Sequence, residues 1–223
     1  MLQFANQNFV FVVAGCSGSG KSTFAIRYLN NAKLTCRFIF DTSGEFANKF
    51  ARRACQTAEE LRAAVVTGWV IFDPHFLFPG NSKKALEMFC EWAWVMSRGL
   101  SGQKMVYADE IWKYCNPNAI PEKLALICQD GRKHGVGLIV TTQRPNRLNE
   151  AIMGECTEFV GFNLVGSNKL DYLERNLDDY PVRELPNLVL IDRVRTQFIA
   201  QNIRSRALRR YEMDFVTQKI REL

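Results

Sequence analysis

Gly15-Cys16-Ser17-Gly18-Ser19-Gly20-Lys21-Ser22-Thr23 is the stretch that decides the fold. An apolar run over residues 9–14 leads into it, and a helical pattern over residues 22–30 leaves it. Strand, glycine loop and helix, in that order, are the context of a phosphate-binding loop. The glycines let the backbone turn its N–H groups toward a polyphosphate. Lys21 reaches the β- and γ-phosphates, and the Ser22 hydroxyl is a ligand for Mg²⁺. The start of the helix adds partial positive charge where the phosphates would lie.

A chain of 223 residues that is 47% hydrophobic buries a full core, so one α/β domain is expected. A net charge of +6 suits a partner that carries phosphates without requiring one. The seven cysteines (16, 36, 55, 90, 115, 128 and 156) are odd in number and never spaced Cys-x-x-Cys. That favours free thiols in a reducing compartment over a disulfide framework. With only His75 and His134 as histidines, a zinc site is not expected. The N-terminal segment lacks the basic start of a signal peptide and reads as a core strand. No apolar run reaches the roughly 18 residues that span a bilayer, so a soluble chain without a transmembrane segment is expected.

Beyond the loop, strands alternate with helices. Arg37-Phe38-Ile39-Phe40-Asp41 reads as a buried strand ending in a carboxylate, and Trp69-Val70-Ile71-Phe72-Asp73 as another. Thr57-x-x-Glu60 is a capping-box signature opening a helix to about residue 66. Ser82 is placed to cap a helix running to Arg98, with Gly99 past its end. The second half of that helix, with Trp92, Trp94 and Val95, is apolar nearly all round; it is either deeply buried or part of a subunit contact. Met105-Val106-Tyr107-Ala108 is a strand followed by Asp109 and Glu110. A helix from Pro121 ends near His134-Gly135, and a strand over residues 137–143 follows. Residues 158–165 form another strand. Residues 188–192 and 196–200 read as a terminal hairpin, and a basic helical tail closes the chain.

Near-continuous apolar strands interleaved with helices predict a doubly wound, mainly parallel sheet of the P-loop NTPase type, RecA/ASCE-like. Sites in such sheets lie at the carboxyl ends of the strands, where residues 15–21, Asp41, Asp109, Glu110 and Gln143 gather. Asp109, at a strand end, suits water-mediated support of Mg²⁺, and Glu110 suits polarising a water for attack on the γ-phosphate. Gln143, after the next strand, is placed to hydrogen-bond the γ-phosphate as a sensor when an extra strand separates the two phosphate-site strands. Arg132 ends the preceding helix. On spacing alone it is equally a dipole-stabilising cation or a finger acting on a neighbouring subunit, with Lys133 and Arg144 as competitors.

The block Gly131-Arg132-Lys133-His134-Gly135-Val136-Gly137-Leu138-Ile139-Val140-Thr141-Thr142-Gln143-Arg144-Pro145 resembles the FtsK–HerA superfamily of DNA-pumping ATPases. Asp41-x-x-Gly44-Glu45-Phe46 is similar to the segment after the second strand in its HerA-type members. The resemblance spans roughly residues 8 to 200, and the Gln-Arg-Pro block is its most specific part. It implies ATP and Mg²⁺ as cofactors. Lys21 and Ser22 would bind phosphate and metal, Asp109 would support Mg²⁺ and Glu110 would be the base. Gln143 would be the sensor and Arg132 the finger in trans. It also implies a homo-oligomer, a hexameric ring around DNA gripped by its backbone without sequence specificity. The near-bare motor, residues 1–202 with a tail of 203–223, looks like the genome-packaging ATPases of tailless, double-jelly-roll viruses. That implies DNA packaging at a capsid vertex, with capsid or internal-membrane viral proteins as partners, in host cytoplasm and virion.

Other readings stand beside it. A cellular or plasmid translocase, or a zonula-occludens-toxin-type morphogenesis ATPase, shares the same motifs. Asp41-Thr42-Ser43-Gly44 and Asn168-Lys169-Leu170-Asp171 match GTPase motifs, but the spacing from Lys21 to Asp41 leaves no room for a switch loop and its strand. A small-molecule kinase would want an arginine-rich lid, which is not evident. A non-catalytic DNA-binding scaffold would not need Glu110. In residues 193–223 eight arginines and lysines face three acids, so the tail suits phosphates, an acidic partner or plain solvation. Lys83, Lys84, Arg144 and Arg147 are weaker candidates for DNA contact.

Overall fold

The computed structural model describes residues 10–178, 180–192 and 194–223. The expected strand content of residues 1–9, and Arg193 of the basic tail, lie outside them.

Six parallel strands form the larger part of one sheet, out to one of its edges: β1 (Val10–Ala14), β2 (Cys36–Phe40), β3 (Trp69–Phe72), β4 (Lys104–Ala108), β5 (Val136–Thr142) and β6 (Cys156–Gly161). They lie in the order β6-β1-β5-β4-β2-β3. Successive residues of each strand feed two different cores. Val10, Val12, Ala14, Phe38, Phe40, Val106 and Ala108 face one side, and Phe11, Val13, Ile39, Met105 and Tyr107 the other. Both faces being covered, the strands read as unbroken apolar runs instead of alternating ones.

The first face is covered by α3 (Ala58–Val65), α4 (Ser82–Arg98), α5 (Glu122–Asp130), α6 (Glu150–Met153) and α7 (Ser167–Asn176). The second is covered by α1 (Lys21–Asn31) and α2 (Glu45–Lys49), which supply Phe24, Ile26, Leu29 and Phe46. The capping box at Thr57 is present, with Glu60 N donating to Thr57 Oγ1 at 3.2 Å. Asn81, one residue earlier than the sequence suggests, caps α4, because its Oδ1 reaches Lys84 N at 3.2 Å. In α4, Trp94 is buried against His134, Trp92 is half-buried against Phe38, and Val95 is exposed.

β7 (Leu190–Asp192) and β8 (Arg195–Asn202) form the expected antiparallel hairpin, and β8 joins the sheet beside β6. The expected helical tail is instead a pair of strands, β9 (Leu208–Asp214) and β10 (Ile220–Glu222). The reason is tertiary. β8 offers an open edge, and β9 pairs with it from Arg195↔Asp214 to Gln201↔Leu208, burying Tyr211 and Met213 against Phe198 and the second core. Charge pairing across the strands supports this: Arg221 Nε lies 3.1 Å from Glu212, its direct cross-strand neighbour, and Arg209 lies 3.4 Å from Glu222. Arg210 reaches Glu184 at 2.8 Å. The tail's charges therefore serve the sheet edge in good part.

Candidate nucleotide site

The loop 15–20 leaves β1 at the carboxyl edge of the sheet. Gly15 N donates to Thr142 O at 3.1 Å and Cys16 N to Asn163 O at 2.7 Å, so β5 and the end of β6 hold the loop from both sides. Gly18 and Gly20 have φ of 71° and 108°. Gly20 has a second reason to be glycine: a β-carbon there would lie 2.8 Å from Phe215 Cε1. Thr196 Oγ1, on β8, donates to Ser19 O at 3.0 Å. The C-terminal strands thus form a wall of the loop, which no spacing in the sequence indicated.

Lys21 is 5% exposed, with Nζ donating to Cys16 O at 2.9 Å and standing 3.6 Å from Glu110 Oε1. Burial lowers its pKa, opposed by the charges of Glu110 and Asp109. A buried ammonium of this kind is best satisfied by more negative charge beside it. Ser19 Oγ is buried with no hydrogen-bond partner among the described residues. An orphan hydroxyl and an under-compensated ammonium in one glycine loop fit a polyphosphate.

β5 lies between β1 and β4, so the loop strand and the Asp-Glu strand are not neighbours. That places Gln143, after β5, between the loop and Glu110. Gln143 N donates to Glu110 Oε2 at 3.0 Å, and Trp112 Nε1 donates to the same oxygen at 2.6 Å. Glu110 is 5% exposed and holds a left-handed backbone, φ 46° and ψ 50°. Glu110 N donates to Thr141 Oγ1 at 2.9 Å, and Thr141 Oγ1 donates to Asp109 Oδ1 at 2.5 Å. Tyr107 OH also donates to Asp109 Oδ1, at 3.0 Å. Tyr107 and Thr141 thus orient Asp109 from the two central strands.

Glu45, at the start of α2, joins this group. Burial raises its pKa, with the Asp109 and Asp41 charges adding and a hydrogen bond from the Ser22 hydroxyl opposing. Ser22, Asp109 and Glu45 therefore gather oxygen donors that suit a hard divalent cation held partly through water. Asp41 turns to structure: its carboxylate accepts from Ser43 N at 3.3 Å and Ala47 N at 3.0 Å, fixing the start of α2.

Lys21, Ser22, Asp109, Glu110 and Gln143 come together as expected; Arg132 does not join them. It sits exposed in a 3-10 turn, Gly131–His134, at the amino end of β5, where Lys104 Nζ holds His134 O at 2.7 Å. The length of β5, about 3.3 Å per residue, separates it from Gln143 of its own chain.

The GTPase motifs are otherwise engaged. Asp171 lies in the first half of α7 and pairs with Arg183 at 3.0 Å, and β5 intervenes where a GTPase would pair the two phosphate-site strands directly. Trp112, Thr141 and Glu45 were not anticipated as site residues. Thr141 and Thr142, closing an otherwise apolar strand, were the available signal. Trp112 carried none, because its role depends on where a short turn points it.

No protein-family model matches this chain, and no curated protein matches it significantly. Solved structures do. The genome packaging NTPase B204 of Sulfolobus turreted icosahedral virus 2, in complex with ATPγS, superposes with a TM-score of 0.71 at 17% identity. The match covers 91% of this chain and 96% of that one. B204, the DNA-packaging ATPase from Sulfolobus turreted icosahedral virus, gives 0.65 at 18% identity over 92% and 98%. The cytoplasmic domain of the Thermomonospora curvata type VII secretion ATPase EccC gives 0.58 at 15% identity, over 96% of this chain and 26% of that one. At these identities the likeness establishes the fold, a P-loop NTPase fold with an added antiparallel edge. Among the described residues no helix is long and apolar enough to cross a membrane.

Proposed function

We propose that this chain is an ATP-hydrolysing motor that moves DNA into a viral capsid, acting as a homo-oligomeric ring at a packaging vertex. The observation that carries the reading is the strand order. β5 inserted between β1 and β4 brings Lys21, Glu110 and the Gln143 backbone into one hydrogen-bonded cluster. The B204 likeness over nearly the whole chain supports the packaging assignment.

ATP with Mg²⁺ supplies the γ-phosphoryl group and the charge neutralisation that makes it an electrophile. The chain's residues do the rest. Backbone N–H groups of 15–20 and the Lys21 ammonium bind and orient the phosphates. Ser22 and Asp109, with Glu45 beside them, would hold the metal. Glu110 accepts a proton from the attacking water, and Gln143 registers the state of the γ-phosphate. Arg132, remote from its own loop, acts on a neighbour's nucleotide. Virion and host cytoplasm are the places such a motor works.

The test is ATP turnover with and without duplex DNA across a salt series. Turnover should rise with DNA, and the rise should fade steeply with salt, because backbone grip releases counterions. DNA-independent turnover would overturn the motor reading. For the ring, an Arg132→Ala subunit and a Glu110→Gln subunit, each inactive alone, should recover activity when mixed. No recovery under proven mixing would remove the trans role.

A further inference from the structure

Beside the nucleotide site lies a feature that site does not use. A cavity of about 370 Å³ opens between the 3-10 turn Pro145–Arg147, which follows β5, and the amino end of α7. Arg144, Arg147 and Lys169 line it, with Ser167 and Asn168, and no carboxylate does. The two arginines are exposed and Lys169 is half-buried. None of the three cations forms an ion pair with a described carboxylate. Arg183, Arg209, Arg210 and Arg221 elsewhere each do. The amides of Ser167 and Asn168, the first of α7, also meet no acceptor among the described residues. Three uncompensated cations converging with free donors make an anion site. Carboxylates and phosphates both suit guanidinium forks, and of the two a DNA motor meets phosphate.

Trp112 does not line the cavity, but the cavity's two arginines lie over its ring. The Arg144 guanidinium lies 4.4 Å from its ring centroid and that of Arg147 5.7 Å. At its edge the same indole donates Nε1–H to Glu110 Oε2 at 2.6 Å. One side chain therefore touches both the arginines of the cavity and the carboxylate read above as the base. In this arrangement that oxygen is occupied twice, by Trp112 and by Gln143 N, while Oε1 faces Lys21. A carboxylate whose acceptor positions are filled by protein donors is poorly placed to take a proton from water.

We propose that the cavity binds a phosphate of the DNA backbone and that Trp112 transmits its occupancy to Glu110. This rests on the DNA-motor reading. A phosphate draws Arg144 and Arg147 off the indole face. The indole shifts, its hydrogen bond to Oε2 loosens, and Glu110 turns toward water. Hydrolysis is thereby held back until DNA is in place. The lining offers cations and amides but no free aromatic face, so it grips backbone and leaves base edges unread. Trp112 is a positioning residue in this scheme; Arg144, Arg147 and Lys169 are the binding groups.

The test uses the full chain, a short blunt DNA duplex and, separately, inorganic phosphate. Tryptophan emission is titrated without ATP, and duplex binding by anisotropy and DNA-stimulated turnover are measured alongside. Duplex should change the emission of the wild type, and Trp112→Phe should abolish that change while still binding duplex. Arg147→Ala/Lys169→Ala should weaken duplex binding about tenfold and reduce its salt slope by about 2. In Trp112→Phe, unstimulated kcat should rise and the stimulation ratio should fall toward one, with KM for ATP little moved; a merely structural role would lower both rates together.

Wild-type duplex affinity and salt slope in the double variant would overturn the site. Full stimulation in Trp112→Phe would overturn the relay. An emission change with inorganic phosphate that duplex does not compete away would reassign the cavity to free anions and overturn the DNA assignment. If duplex binds through Arg147 and Lys169 yet never stimulates turnover, the motor reading and the relay fail and the site stands.

Discussion

Replacing Gly20 by alanine probes how firmly the terminal strands are tied to the phosphate loop. Gly20 has φ 108°, a backbone state that costs a residue with a side chain about 1–3 kcal/mol. A β-carbon there lies 2.8 Å from Phe215 Cε1 and 3.0 Å from both Met213 Cε and Thr196 Cγ2. The Met213 methyl can swing aside. Phe215 has less freedom, because its N–H donates to Val194 O at 2.6 Å and fixes its backbone to the β7–β8 turn. Overpacking of this kind adds about 1–3 kcal/mol. The expected loss is therefore about 2–6 kcal/mol, a large part of a domain's stability. Urea denaturation should show a lower midpoint with an unchanged slope, and ATP affinity should fall as the loop is displaced. In Gly20→Ala/Phe215→Ala the steric part should return, as a coupling of about 1–2 kcal/mol, while the backbone part should not. If Gly20→Ala unfolds within about 0.5 kcal/mol of the wild type and shows no coupling to Phe215, the terminal strands do not press on the loop.

Glu110→Gln should lower kcat by about 10²–10⁴ with ATP affinity largely kept, measured by turnover and nucleotide titration. A loss confined to KM would remove Glu110 from the chemical step. Removing residues 208–223 should cost about 3–6 kcal/mol, because buried Tyr211 and Met213 leave the second core; thermal unfolding reads this directly. Glu158 on β6 is buried, which raises its carboxyl from 4.5 to about 7, against the hydrogen bond from Asn202. The folded state therefore keeps a proton that the unfolded state releases. That stability is full below about pH 4.5 and fades as pH rises through about 7. Glu158→Gln should thus stabilise the protein by about 1–3 kcal/mol near pH 8 and scarcely at pH 4, checked by denaturation at both.

The parallel core was legible because its physics is local in sequence. Each strand is an apolar run bounded by a glycine, a proline or a charged residue, and a sheet covered on both faces needs nothing more. The Thr57 capping box was readable for the same reason. The tail was not. Arg209-Arg210-Tyr211-Glu212-Met213 has neither a strict two-residue nor a helical period, and only the free edge of β8 makes a strand of it. The position of Asn81 as cap over Ser82 was likewise a matter of which oxygen reached an amide.

The phosphate loop, the Asp109-Glu110 pair, Gln143 and the order in which strands and helices follow one another can be read from the residues alone. These follow from residue chemistry and short-range pattern. The folded chain adds the pairing of β5 between β1 and β4, the wall that Thr196 and Phe215 make for the loop, and the position of Trp112 between Glu110 and two arginines. Those contacts join residues from tens to nearly two hundred positions apart, or hang on the orientation of one short turn. They are set by which strand edges pair and which side chains then fill the remaining space, and no local pattern encodes that.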